Sequence, residues 1–182
     1  MREEIQSGKW GRVVTMTAYN AEDWVTPNLN TWRHDPDITP GGFFYDSSGH
    51  QIDSLLWVTG LQLENVQCRT NNHGLPVPLA AWGSAMLTGG VPLSFSFVGV
   101  AQVWRELNNI HCERMDFCIE NGRAYWSQGG KMAPMAELEE DETADLAFIK
   151  LLRCEGPNWS PPEEVWPVLN FTRAALESAN QK

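Results

Sequence analysis

An α+β fold is predicted for this chain, with a largely antiparallel sheet over the first two thirds and C-terminal helices packing on it. Three observations predict it. Alternating runs rich in β-branched and aromatic residues recur between residues 12 and 126. An Asn-Gly pair joins two of them, and helix start and stop signals cluster after residue 137. Strands first and helices last favour α+β over an alternating α/β order.

The elements follow in order, within one expected domain spanning 1–182. Residues 1–10 are a polar lead-in, and 12–19 alternate as a strand. From 20 to 42 the chain is expected to be a long irregular loop, because Pro27, Pro36, Pro40 and Gly41-Gly42 break regular structure. Phe43-Phe44-Tyr45, Asp46-Ser47-Ser48-Gly49 and His50-Gln51-Ile52 read as strand, turn and strand. Residues 54–68 read as one strand bent at Gly60, and Asn71–Gly74 as a turn. A short helix is expected over 79–87 after Pro78, ended by Gly89-Gly90, then a strand over 91–98. Val100, Val103, Trp104, Leu107 and Ile110 fit a helical stripe, so a helix is expected over 100–110.

The sharpest local signal is a hairpin over 115–126. Met115–Glu120 and Arg123–Trp126 alternate around Asn121-Gly122, a pair that accepts the positive φ both turn positions need. Residues 128–134 read as a glycine-containing loop. A helix is expected over 141–154, with acids leading, Arg153 near its end and Gly156 beyond, as the helix dipole favours. Ser160-Pro161-Pro162-Glu163 has the spacing of a capping box and opens a last helix, re-started at Pro167, with Val168, Phe171, Ala175 and Leu176 inward.

Composition bounds the function. Hydrophobic residues make up 42% of the 182, so a real core is expected. The net charge of −10 argues against phosphate backbones and anionic membranes and suits protein subunits, another copy of the chain or a basic partner. No secretory leader and no run of about 20 apolar residues is seen, so a cytoplasmic setting with reduced cysteines is expected. Nine tryptophans are hard to hide completely and point to contact surfaces.

Chemical motifs are weak. Neither G-x-x-x-x-G-K-[ST] nor G-x-G-x-x-G is present, so nucleotide binding by those routes is excluded. His111, Cys112 and Cys118 offer an alternative structural zinc site, although the usual cysteine knuckle spacing is missing. Cys68 with His73, or Cys112 with His50 and Asp53, could be assembled as a Cys/His hydrolase. Asp35 with Asp37, or Asp46 with Asp53, could form a glycosidase pair in a Trp-lined cleft.

The preferred expectation is a non-enzymatic interaction or assembly protein that uses no cofactor. Low charge, many Trp and long Pro/Gly/Asn loops resemble the composition of virion or other assembly subunits. An acidic inhibitor docking on a basic partner fits the same composition. A small hydrolase with a Cys/His pair, or an acidic carbohydrate cleft, is the alternative. The expected partner-binding residues are Trp24, Trp32, Phe43, Phe44, Glu139, Glu140, Asp141, Glu142, Trp159 and Trp166.

Overall fold

A computed structural model of the chain describes residues 1–135, 143–158 and 160–181. Its organising strand is β1 (Val13–Asp23), which alternates buried Met16, Ala18 and Asn20 with half-buried Thr15, Thr17 and Tyr19. Seven further strands flank it: β2 (Leu63–Asn71), β3 (Ala80–Leu87), β4 (Val91–Val98), β5 (Val100–Cys112), β6 (Asp116–Glu120), β7 (Arg123–Gln128) and β8 (Lys131–Pro134). The sheet order is β2-β3-β4-β1-β5-β6-β7-β8. Among the described residues only β1 with β4 runs parallel; every other neighbouring pair is antiparallel.

Among the described residues five helices complete the fold: α1 (Arg2–Gln6), α2 (Val25–Asn28), α3 (Gly49–Thr59), α4 (Ala144–Leu152) and α5 (Trp166–Asn180). A 3₁₀ turn covers Trp32–His34, and a π-helical segment, Phe44–Ser48, runs straight into α3. α3 and α5 cover one face of the sheet. α5 buries Val168, Phe171, Thr172 and Ala175, the i, i+3, i+4, i+7 stripe of a helix against a core. Phe44 stacks on Phe95 and Phe97 at 6.2 and 5.8 Å, and Phe171 meets Phe95 edge-on at 5.7 Å. Opposite these rings, β3 is lined with small residues: Ala81 pairs with Phe97, Gly83 with Phe95 and Ala85 with Leu93.

The mixed α+β class and the C-terminal helices are as expected. The expected strand at 12–19 is present and runs on to Asp23. The hairpin forms with Asn121 and Gly122 at φ +48° and +75°, as an Asn-Gly turn requires. α4 and α5 occupy the two predicted helical stretches.

Five expectations are corrected. Residues 43–52 are helical, not strand-turn-strand. Ile52, Leu55 and Leu56 form a helical face, and Gly60, at φ +73°, closes α3 by donating to the Leu56 carbonyl at 2.8 Å. Residues 54–68 therefore divide at Gly60 into a helix end and β2. In place of the helix expected over 79–87, residues 80–87 form β3, because pairing with β2 and β4 overrides the helix propensity of the alanines. Residues 100–110 belong to β5: Asn108, Ile110 and Cys112 are buried at period two, while Val103 and Trp104 are exposed. The expected loop at 128–134 contains β8, joined to β7 through Gly129 and Gly130. Among the described residues, no helix is long and apolar enough to cross a membrane.

Candidate functional site

The best-organised polar cluster lies where the C-terminal end of β1 meets the π-helical segment. Gly41 and Gly42 lead into that segment. Gly42 has φ +48°, and a Cβ there would overlap the Pro78 carbonyl. The Phe43 N–H donates to the same carbonyl at 3.0 Å, which anchors the segment beside β3. A π-helical turn has poorer hydrogen bonding than an α-helix and survives where surroundings impose it, often at functional sites. Here the imposition comes from Phe43 and Phe44, both fully buried.

The segment presents Asp46 and Ser47 to the end of β1. The Trp24 indole N–H donates to Asp46 Oδ2 at 2.7 Å, and Arg33 Nε donates to the same oxygen at 2.9 Å. Arg33 lies with its guanidinium 4.4 Å above the Trp32 ring. The Thr31 hydroxyl accepts from the Arg33 N–H and starts the 3₁₀ turn that sets this geometry. The Trp24 ring stacks on His34 at 5.2 Å. The Ser47 hydroxyl donates to the Glu22 carboxylate. Beneath them the Asn108 side-chain amide donates to Gln51 Oε1 at 2.6 Å, fixing α3 to β5.

On the outer side, His50, Asp53 and Trp57 follow at i, i+3 and i+7 on one face of α3, and Asp46 precedes them in the π-helical segment. Gln51, Ile52, Leu55, Leu56 and Val58 face the core. His50 is exposed and Asp53 half-buried. Burial pushes the Asp53 carboxyl above its ordinary range; Glu164 adds to this and nearby His50 opposes it. The site can therefore offer an imidazole and two carboxylates to a hydroxylated ligand. Its Arg33 and Trp24 supports hold Asp46 in place.

The residues expected from sequence scatter. Trp24, Phe43 and Phe44 are interior, whereas Trp32 and Trp166 are exposed. Glu139, Glu140, Asp141, Glu142 and Trp159 lie outside the described residues. The zinc alternative fails on strand geometry, since His111 and Cys112 are consecutive in β5 and point to opposite faces. The His111 imidazole instead sits 3.0 Å from Asp116. Among the described residues, no group of three or more potential ligands converges. The Cys/His hydrolase fails electrostatically. Burial pushes the Cys68 thiol up to about 11 and raises that of Cys112, where Asp116 and Glu113 add to the effect, the reverse of an activated nucleophile. Asp46 and Asp53 lie seven residues apart on one helical run rather than on loops. His50 was weighed from sequence only as a partner for Cys112. The i, i+3, i+7 spacing of His50, Asp53 and Trp57 is the signal that could have placed it in this site.

Residues 1–114 match the GFO/IDH/MocA C-terminal domain family. Three solved structures share the fold over nearly the whole chain. Aldose-aldose oxidoreductase from Caulobacter crescentus, complexed with glycerol, is 13% identical with a TM-score of 0.83, over 99% of this chain and 57% of its own. Levoglucosan dehydrogenase complexed with NADH and levoglucosan is 15% identical with a TM-score of 0.80, over 99% and 60%. An oxidoreductase domain protein from Kribbella flavida is 16% identical with a TM-score of 0.79, over 98% and 60%. The chain thus spans less than two thirds of the length of these structures. No curated protein matches it by sequence. These findings overturn the expectation of a non-enzymatic assembly, virion-type or inhibitory protein, and equally the hydrolase alternative. They also overturn the expectation that no cofactor is involved, since a structure of this fold carries NADH.

Proposed function

Because the chain belongs to the GFO/IDH/MocA C-terminal domain family, we propose that it forms the substrate side of a nicotinamide-dependent dehydrogenase acting on a small polyhydroxylated compound. The observation that carries this reading is the cluster of Asp46, His50 and Asp53, with Asp46 buttressed by Arg33 and Trp24. The solved relatives that act on sugars or anhydrosugars support the substrate class.

The residues of this chain do not fit the dinucleotide itself. The sequence has no glycine-rich phosphate loop of the kind that cradles a dinucleotide at the start of a helix. A separate nucleotide-binding domain has to hold the cofactor. What this chain contributes is binding and proton movement. Asp46 and Glu22 accept hydrogen bonds from substrate hydroxyls. His50, exposed and near the Asp53 carboxylate, takes the proton from the hydroxyl being oxidised.

The test is His50→Asn in the intact protein with its nucleotide-binding domain. Turnover is followed through NAD(P)H absorbance on a panel of aldoses and anhydrosugars. General acid–base catalysis of this kind contributes about 10²- to 10⁴-fold. The variant is expected to lose turnover on that scale while binding NADH as before. Unchanged turnover would remove His50 from the reaction.

A further inference from the structure

The C-terminal end of β1 carries more acceptors than donors. Asn20 and Glu22 stand two residues apart on the strand, on either side of Ser47. The Ser47 hydroxyl donates to the Glu22 carboxylate, and the Asn20 side-chain amide donates to Ser47 Oγ at 3.5 Å. Glu106, the register partner of Asn20 on β5, adds a second carboxylate, whose Oε2 accepts from the Gly122 N–H at 3.0 Å. Among the described residues no Lys, Arg or His forms an ion pair with Glu22 or Glu106. Arg33 is committed to Asp46 at 2.9 Å. Arg105 stands opposite Ala21 in the register, so by alternation its side chain leaves the other face of the sheet.

A second observation is independent of these charges. Asn20 is 1% exposed, yet its Oδ1 has no donor among the described residues. Asn108 is buried to the same degree two residues along β5 from Glu106. Its Nδ2 is taken by Gln51, and its Oδ1 also lacks a donor. A buried acceptor without a donor is uncommon and costs free energy. The polarity here is uniform, since the carboxylates and both amide oxygens all accept. A water satisfies an amide oxygen but leaves the charge of Glu22 uncompensated. A hydroxyl brings one donor and no charge. An ammonium brings three donors together with a positive charge.

We infer that this end of β1 binds an ammonium group, with Glu22 as its counter-ion and Asn20 as an inner acceptor. The site adjoins Asp46 through Ser47, its neighbour in the π-helical segment. Resting on the dehydrogenase reading above, this makes the substrate an amino sugar, with an amine in place of one hydroxyl. Glu22 is half-buried, so it is open to a ligand while its charge is screened less than on a free surface. Hydrogen bonds between ionised partners are shorter and stronger than neutral ones, so the amine discriminates against the parent sugar. The net charge of −10 favours the approach of a cationic ligand.

The test is isothermal titration calorimetry on the intact protein with its nucleotide-binding domain, in the presence of NAD(P)H. The probes are D-glucosamine, D-galactosamine and kanosamine, set against D-glucose and D-galactose. At least one amine is expected to bind about 10- to 100-fold more tightly than its parent sugar, the range of a hydrogen bond to a charged group. N-acetyl-D-glucosamine keeps the nitrogen without the charge and should show no such preference. Glu22→Gln keeps the side-chain size and an acceptor for Ser47, and should abolish the preference. If Glu22 served only to hold Ser47, the variant would weaken amine and parent sugar alike. A preference that survives Glu22→Gln, or no amine binding more tightly than its parent, overturns the assignment. Turnover of the same sugars, followed through NAD(P)H absorbance, separates the two readings. An amine that binds through Glu22 and is never oxidised leaves this site standing and removes the dehydrogenase.

Discussion

The Trp24 indole and the Asp46 carboxylate meet at 2.7 Å across 22 residues of chain, joining the end of β1 to the π-helical segment. The same carboxylate oxygen also takes the Arg33 Nε at 2.9 Å. Asp46 thereby has its orientation set by one neutral and one charged donor before any ligand arrives. Trp24 is buried against His34 and Phe43, so its ring packs while its N–H positions.

Trp24→Phe keeps an aromatic ring in the slot and removes the donor. A hydrogen bond to a charged group contributes about 1.5–3 kcal/mol. Since Arg33 remains to hold Asp46, the loss of stability in urea denaturation is expected at the low end, about 1.5 kcal/mol. A double substitution with Arg33→Ala should cost more than the sum of the single changes, because Asp46 then loses both donors. Strict additivity would show that the two donors act independently.

Much of the sheet was legible in the sequence, and the site was not. The 115–126 hairpin announced itself because Asn121 and Gly122 carry a backbone requirement that few other pairs meet. The helical face of α5 was legible because Val168, Phe171 and Ala175 bury one clean stripe. α3 was hidden by its own beginning. Phe43-Phe44-Tyr45 before a Ser/Gly run has strand-turn composition, and the π-helical turn shifts the helical register there. Once His50 is placed in a strand, the face it shares with Asp53 disappears. β5 misled in the opposite way. Val103 and Trp104 are apolar yet exposed, so together with the buried Ile110 they imitate a helical period. The sequence itself carries no glycine-rich dinucleotide loop, so its residues gave no reason to expect a nucleotide cofactor.

Gly83 is required by close approach, not by its backbone angles. A Cβ added there would overlap the Gln67 carbonyl of β2 and press on the Phe95 ring of β4. The carbonyl belongs to the β2–β3 ladder and cannot yield without breaking pairing. Gly83→Ala is therefore expected to destabilise by about 3 kcal/mol, at the upper end of overpacking costs. By contrast, Gly49→Ala meets only the Phe44 carbonyl at 3.9 Å and replaces glycine within a helix. That change should stabilise by about 0.5–1 kcal/mol. Thermal melts of the two variants side by side check the contrast, and equal effects would contradict the packing described for β3.

Cys68 and Cys154 are both free thiols, in opposite surroundings. Cys68 is buried where β2 meets α5, its backbone N–H bonded to Ser178 Oγ at 3.2 Å, and burial pushes its thiol up to about 11. Cys154 is exposed. Since the thiolate is the reactive form, only about one Cys68 in a thousand is reactive at pH 8. Iodoacetamide should label Cys154 first, and labelling of Cys68 at the same rate in the folded protein would contradict its burial. The same shift carries a pH dependence of stability. The folded state favours the protonated thiol, so its contribution is complete below the ordinary value of 9.0 and is lost as pH rises through about 11. Other groups titrate in that window, so the readout is a difference. Cys68→Val keeps an apolar side chain of similar size and cannot ionise. The gap in denaturation midpoint between wild type and Cys68→Val should be flat up to pH 9 and move in favour of the variant above it. A gap that stays constant to pH 11 would mean that the Cys68 thiolate is accommodated as readily in the fold as in the unfolded chain.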